Sequence, residues 1–533
     1  MRFTPRDYMK FHRRVFLKHL GFGAAGLGLV SSFPGCLTPR EPVDGRLPRS
    51  TPEEQGVSSA GILGFFDAAA KSTNELHSFT MVRRGHVIAE GWWAPYRPGA
   101  NHMLYSLSKS FTSTAAGFAV AEGRLTADDL VVSFFPDDLP QNAGGNLAAL
   151  RVKHLLTMSV GHARDSTPII TKEENWVKSF LSLPIENPPG SVFLYNSGAT
   201  YMLSAIVQKV SGQKVIDYLR PRLFTPLGIR GMTWETCPRG INTGGWGLAV
   251  QTEALAKFGQ FYLQKGAWQG RQILPAAWIH EATTFKIQQP AGTGEDLEKL
   301  KKTSEWHLGY CYQFWRCRHN AFRGDGAFGQ FMIVMPDQET VVAITSESAS
   351  MPDDMNLVWD HLLPALKDTV LPADREAQAQ LGHTLASLAL PPPKARPASP
   401  TADRIWGKTF QIEPNAAGVR SVSFRFPREA CIFHLTDAEG SCAVRCGLGK
   451  WVDGECNMPG TPPTITVGGL RPCKIAASAG WKDPDTLEMT WRYYETPHHD
   501  TVTCHFEGNT VTVRFKNSIP GHGETRPVLR GRA

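Results

Sequence analysis

Two side chains three residues apart, Ser106 and Lys109, are the best suited to covalent chemistry in this 533-residue sequence. A serine hydroxyl is a weak nucleophile until a neighbouring base takes its proton. The S-x-x-K spacing puts hydroxyl and amine on one helix face, about a turn apart. A lysine kept from water loses part of its preference for the ammonium form and can serve as that base. The stretch Met103–Leu125 reads as the helix that carries them. Leu107, Phe111, Ala115, Phe118 and Ala119 recur at spacings of three and four, and Gly123 supplies a stop. No charged residue occurs between Lys109 and Glu122, which predicts burial on nearly every side. The bland alternative is a helix cap at Ser106 with Lys109 snorkelling to solvent.

The pattern occurs a second time, at Ser211-Gly212-Gln213-Lys214. There it follows an apolar helix and falls in a glycine turn, so it is expected on the surface. Two further stretches could face Ser106. Pro188 to Gly198 is a loop holding Tyr195, Asn196 and Ser197, followed by a helix with Met202, Leu203, Ile206, Val207 and Val210. A tyrosine just ahead of a helix can shuttle protons if its phenol is perturbed, or simply pack with a satisfied hydroxyl. Arg323 to Gln330 brings Gly324, Asp325 and Gly326 into a late strand, where glycines permit close backbone approach.

The elements that must position these residues read as follows. Gly56–Ser72 is a helix, and Phe79–Trp93 is a hairpin turning at Arg84-Gly85. Gly309–Cys317, Phe328–Met335 and Thr340–Thr345 are strands, and Asn356–Lys367 closes with a helix. Strands at both ends of a helical middle predict an α+β fold: one antiparallel sheet flanked by helices, with an inserted helical lobe and a cleft between them. Leu371–Leu390 is helical, and the proline-rich run from Pro391 to Pro397 is a semi-rigid linker. Beyond it Val422–Phe426, Thr464–Val467, Leu487–Tyr494, Val502–Phe506 and Thr510–Phe515 alternate as strands of a small all-β domain, barrel or sandwich. His498-His499-Asp500 reads as a loop. Six cysteines here (Cys431, Cys442, Cys446, Cys456, Cys473 and Cys504) permit disulfides in an exported protein. The domain layout is therefore 1–36 signal segment, 37–55 tether, 56–368 catalytic domain, 369–400 helix and linker, and 401–533 β domain, the last separable because few contacts should cross the linker.

The formal net charge is +7, but residues 1–36 alone hold six Lys/Arg against one Asp. The small excess left for the rest gives no nucleic-acid footprint. His12 to Lys18 carries Arg13-Arg14 ahead of a short apolar run, Leu20 to Phe33, which resembles a twin-arginine export segment. Phe33-Pro34-Gly35-Cys36 resembles a lipoprotein cleavage box, so Cys36 is either a lipid acceptor tethering the protein to a membrane or part of a plain cleavage site. Export to the periplasm or cell envelope is expected in both cases.

Taken in order, these stretches resemble the serine β-lactamase and penicillin-binding-protein superfamily, in its class C β-lactamase-like branch of esterases and peptidases, from about Arg49 to Lys367. Ser106-Leu107-Ser108-Lys109 matches the first box. Tyr195-Asn196-Ser197 is similar to the second, usually Tyr-x-Asn. Gly324-Asp325-Gly326 falls where Lys- or His-Thr-Gly is usual. Pro226–Ile229, Gly244–Leu248 and Ala256–Gly259 are similar to further landmarks. The resemblance implies Ser106 as acylated nucleophile, Lys109 as proton acceptor and Tyr195 as partner base and later acid. It implies Ser197 in the place of the amide-binding asparagine, and an oxyanion hole from the N–H groups of Ser106 and Ala327, just after Gly326. No metal or cofactor is implied. Asp325 would repel an anionic ligand unless Arg323 or Arg316 compensates, so a neutral ester, an amide or a D-amino-acid peptide is the expected substrate. The altered boxes also fit a second reading, a catalytically weak envelope sensor that keeps the fold.

Overall fold

Six strands form the sheet that carries the site: β1 (Glu75–Arg83), β2 (His86–Trp92), β3 (Trp315–Arg316), β4 (Phe322–Gly326), β5 (Gln330–Met335) and β6 (Thr340–Glu347). Their order is β2-β1-β6-β5-β4-β3, with antiparallel pairing throughout, so the two ends of this region meet where β1 pairs with β6. From Leu76 onward β1 is buried along its whole length, because both faces of the sheet are covered. The side-chain period of two sorts the residues. Phe79, Met81, Ile333, Val342 and Ile344 face helix α1 (Ser59–Ala69) and its Ile62, Phe65 and Phe66. Val82, Met332, Val334, Val341 and Ala343 face the opposite way, into the core that holds the nucleophile helix. This computed structural model describes residues 45–141, 144–290, 294–438, 440–456, 473–519 and 526–533. The export segment and Cys36 lie outside the described residues.

The nucleophile helix is shorter than its apolar pattern. Met103 belongs to a short strand, His102–Met103, and Ser106 sits in a 3₁₀ turn, Tyr105–Leu107. Helix α2 (Ser108–Ala121) follows, buried from Ser108 to Ala119. Tyr105 has φ +48°, which breaks the helix before Ser106, and Gly123 at φ +68° ends the chain's helical path. Phe111 stacks on Phe258 at 3.8 Å between ring centroids. That contact joins α2 to the later helix Thr252–Leu263, and burial of each ring stabilises by about 1.5–3 kcal/mol. The inserted lobe contributes helix α3 (Ser197–Ser211), whose Tyr201, Met202, Ile206 and Val207 are fully or nearly fully buried.

Two late strands are shorter than expected. Of Gly309–Cys317 only Trp315–Arg316 joins the sheet as a strand, while Tyr310 makes isolated bridges to Ile287 and Trp315, and β5 starts at Gln330 because Phe328 (φ +64°) and Gly329 (φ +86°) form the turn before it. The closing helix widens into a π turn at Val358–Leu362 and ends at Ala365.

The C-terminal strands are β7 (Thr409–Ile412), β8 (Ser421–Arg425), β9 (Ala430–Thr436), β10 (Ser441–Leu448), β11 (Val452–Cys456), β12 (Cys473–Asp483), β13 (Thr486–Arg492), β14 (His499–Glu507), β15 (Thr510–Asn517) and β16 (Leu529–Arg532). They run β10-β9-β8-β7-β16-β15-β14-β13-β12, and a parallel pairing of Gly447 and Leu448 with Ser478 and Ala479 joins β10 to β12. That closes a nine-stranded barrel, with β11 added along β12; closure removes the sheet edges that a sandwich would leave. Val511, Val513 and Phe515 alternate inward with exposed neighbours. Cys431 faces Cys446 and Cys456 faces Cys473 in register. Burial pushes the Cys446 thiol up to about 12, which suits a packing role. The segment Thr464–Val467 lies outside the described residues. His499 and Asp500 open β14 rather than forming a loop, because Arg492, Trp491 and Asn517 pair with them across the sheet.

The linker does not separate the two β layers. Arg492 donates to both oxygens of Glu75 at 2.8 and 3.1 Å, and Met103 N donates to Glu495 O at 2.9 Å. Trp451 Nε1 donates to Leu390 O. The seam mixes these polar contacts with an apolar cluster of Tyr96, Ala476 and Tyr494, and it runs beside the nucleophile turn. Among the described residues no helix is long and apolar enough to cross a membrane.

Candidate active site

Ser106 is half-buried at the start of α2, and Lys109 is 1 % exposed. The lysine Nζ donates to Ser106 Oγ at 3.1 Å, to Ser197 Oγ at 2.9 Å and to Gly245 O at 2.7 Å. Burial lowers its pKa from the usual lysine value to about 7, although Asp165 and Asp325 pull the other way. An amine at that value is partly neutral at physiological pH and can accept the proton of Ser106.

Tyr195 reaches the site from the loop before α3. Lys109 Nζ lies 4.8 Å from the centre of its ring. Burial, with Asp325 adding to it, raises the phenol well above its ordinary value. Tyr195 therefore holds its own proton while the lysine titrates. The ring stacks on Trp315 at 5.7 Å and meets Tyr310 edge-on, so an aromatic wall excludes water from the amine.

Asn196 and Ser197 divide the work of the second box. Asn196 Oδ1 caps α3 by accepting from Gly198 N, and it also accepts from Ser166 N and Oγ. Its amide meets His162, so this side chain is turned into the lobe. Ser197 stands at the first position of α3 and its hydroxyl accepts from Lys109. That contact helps to orient the base and leaves the hydroxyl's own proton free to be donated.

The third box lies on β4. A Cβ on Gly326 would sit 2.0 Å from Leu104 O, and one on Gly324 would sit 2.7 Å from Ser110 Oγ. These glycines let the strand press against the nucleophile turn. Asp325, between them, points to the other face, where Arg323 Nε donates to its Oδ2 at 3.0 Å. Arg323 is fully buried, stacked over Trp306 at 4.5 Å, and donates to Glu305 O. The cation expected to compensate Asp325 is thus Arg323; Arg316 donates instead to Thr283 O and Asn320. Ala327 follows the strand. Ser106 stands in the 3₁₀ turn just ahead of α2, where leading N–H groups have no acceptor within the turn.

Ser211 and Lys214 lie apart from this site. Ser211 donates to Val207 O at the end of α3, and Lys214 is exposed. Three features were not read from sequence: the Gly245 carbonyl, the charge of Asp165 and the wall made by Trp315. Gly244-Gly245 stood out as a motif, but a carbonyl acceptor carries no side-chain signal.

An antiparallel sheet with an inserted helical lobe and a buried Ser/Lys pair defines a serine hydrolase of the β-lactamase and penicillin-binding-protein superfamily. A family model described as Beta-lactamase matches residues 77–367, more than half of the chain, and the chain belongs to that family. It is 24% identical over 313 residues to a 6-aminohexanoate-dimer hydrolase of Paenarthrobacter ureafaciens, covering 54% of this chain and 75% of that one. It is 25% identical over 361 residues to penicillin-binding protein 4 of Amycolatopsis lactamdurans, covering 60% and 88%. Among solved structures, the octameric penicillin-binding protein homologue from Pyrococcus abyssi aligns with a TM-score of 0.46 at 15% identity, over 89% of this chain and all of that one.

Proposed function

We propose that the protein hydrolyses neutral esters, amides or D-amino-acid peptides through an acyl-enzyme on Ser106. The observation that carries this is the 3.1 Å contact between Lys109 Nζ and Ser106 Oγ at an amine lowered to about 7. The neutral amine takes the hydroxyl proton as Oγ bonds to the acyl carbon. The developing oxyanion is met by the N–H groups of Ser106 and Ala327. As the carbonyl re-forms, the bond to the leaving group breaks, and that group takes a proton from the Tyr195 phenol, which Lys109 replenishes. Water, deprotonated by the same pair, then releases the acid and frees Ser106.

The Arg323–Asp325 pair supports a neutral substrate, because its charges cancel and the arginine is fully buried. A 6-aminohexanoate-dimer hydrolase among the relatives agrees with an amide in this role. Intact mass after brief exposure to an acyl fluoride should gain one acyl group at Ser106, and a chromogenic ester should then turn over many times. A single equivalent of product with no turnover would favour the sensor reading instead.

We also propose that the protein is exported, on the strength of Arg13-Arg14 ahead of the short apolar run. Replacing Arg13 and Arg14 by lysine should strand precursor inside the cell, and secretion at the normal level would count against it. Fatty-acid labelling should be lost in Cys36→Ser, and label that persists would rule out that anchor.

A further inference from the structure

Two residues without the freedom of glycine hold left-handed backbone beside the site: Tyr105 at φ +48°, directly before Ser106, and Phe328 at φ +64°, directly after Ala327. Such conformations are costly for bulky side chains and persist where surrounding contacts impose them. Both residues converge on one side chain of the barrel. The Tyr105 hydroxyl lies 2.6 Å from His498 Nε2, and the Phe328 ring meets the His498 ring edge-on at 4.6 Å. The Tyr105 and Phe328 rings meet each other at 5.3 Å. His498 is 1 % exposed; its Nδ1 lies 2.8 Å from Glu347 Oε1, at the end of β6, and its N–H donates to Thr496 Oγ1. Both ring nitrogens of His498 are thus engaged, Nδ1 by Glu347 and Nε2 by the Tyr105 hydroxyl. Glu347 is itself held from the barrel side by His499 and Ser518.

We propose that the barrel completes the active site, with His498 as a positioning residue. It clamps Tyr105 and Phe328 together, and so sets the spacing of the two backbone amides, Ser106 and Ala327, that face the oxyanion. The amides stabilise charge only when aimed at the place where it develops, and small displacements are expensive. The inference rests on the proposed role of Ser106.

The test uses the full chain and p-nitrophenyl acetate. His498→Ala and Tyr105→Phe should each lower kcat by about 10–100-fold with KM little changed, as misplacement of a reacting group does. The double variant should be no worse than His498→Ala alone, because that change already breaks the Tyr105 contact. His498→Gln, whose amide oxygen can reach Tyr105 from the place of Nε2, should regain activity that His498→Asn lacks. If His498→Ala does not fold, Tyr105→Phe decides, since it removes one hydroxyl and keeps the ring. Wild-type kcat in Tyr105→Phe overturns the proposal. So does an equal loss in all three His498 variants that follows only the loss of folded protein. Ser106→Ala run alongside separates the two readings: turnover without Ser106 defeats the proposed chemistry, whereas an inactive Ser106→Ala beside a fully active Tyr105→Phe defeats only the role of His498.

Discussion

Ser106-Leu107-Ser108-Lys109 and Ser211-Gly212-Gln213-Lys214 share one spacing and differ in nearly everything else. The first opens a helix buried to its eleventh residue and beyond; the second closes one at a left-handed glycine, φ +72°. Lys109 has three oxygen partners and an aromatic neighbour, while Lys214 is exposed to water. Four residues of pattern bring a hydroxyl and an amine near each other in either place. Only removal of water lowers the amine far enough to act as a base near neutrality. The comparison teaches that the first copy's chemistry belongs to its surroundings rather than to its spacing.

The sharpest way to break that comparison is to delete the hydroxyls. Ser106→Ala should abolish the acyl adduct and lower turnover by about 10⁴-fold or more, while Ser211→Ala should leave both unchanged. An adduct mapped to any other residue, or a Ser211→Ala variant that loses activity, would remove the distinction.

The amines come next. Lys109→Ala should slow acylation by about 10²–10⁴-fold, and Lys214→Ala should not slow it. In the wild type the neutral form of Lys109 is the active one, and its pKa is lowered to about 7. Acylation should therefore be slow below that pH, rise through it and level off above it. A profile that rises only near the ordinary lysine value would show that water reaches the amine.

A smaller effect should follow from Ser197→Ala, which removes one of the partners that distinguish Lys109 from Lys214. About a tenfold loss in acylation is expected, in the range of one hydrogen bond to a charged group. Measured single-turnover rates that do not move would mean that Gly245 O and Ser106 orient the amine unaided.

The smallest change concerns selectivity. Asp325→Asn leaves the Arg323 charge unneutralised beside the site, so turnover of an anionic ester relative to a neutral one should rise by about severalfold. Thermal unfolding should also shift downward, because an unpaired buried charge is costly. An unchanged substrate ratio would show that Asp325 does not act on the bound ligand.

Much of this was legible in the chain because it depends on local pattern. The apolar spacing of α2, the hairpin turn at Arg84-Gly85 and the period of two in β5 and β6 each follow from neighbours a few residues away. The start of α2 was misread because Tyr105 leaves helical space for reasons that lie elsewhere. Its hydroxyl bonds to His498, its carbonyl accepts from Ser108 Oγ, and Ser108 Oγ also accepts from Leu248 N. The dipeptide His498-His499 likewise looks like a polar loop until Glu347 arrives from a different sheet. Burial alone would raise that carboxyl, but its hydrogen bonds with the two histidines hold it at about 2.

The sequence by itself determined that a serine and a lysine would stand three residues apart at the head of an apolar helix, that strands would flank a helical lobe, and that a β domain would follow a proline-rich segment. These are short-range facts, set by side-chain period and backbone preference. The tertiary structure alone decided which of two Ser/Lys pairs is desolvated, that Arg323 rather than Arg316 answers Asp325, and that the barrel closes against the nucleophile turn. Each of those depends on groups brought together from more than one part of the chain, where electrostatics and packing act through space and no local pattern records the distance.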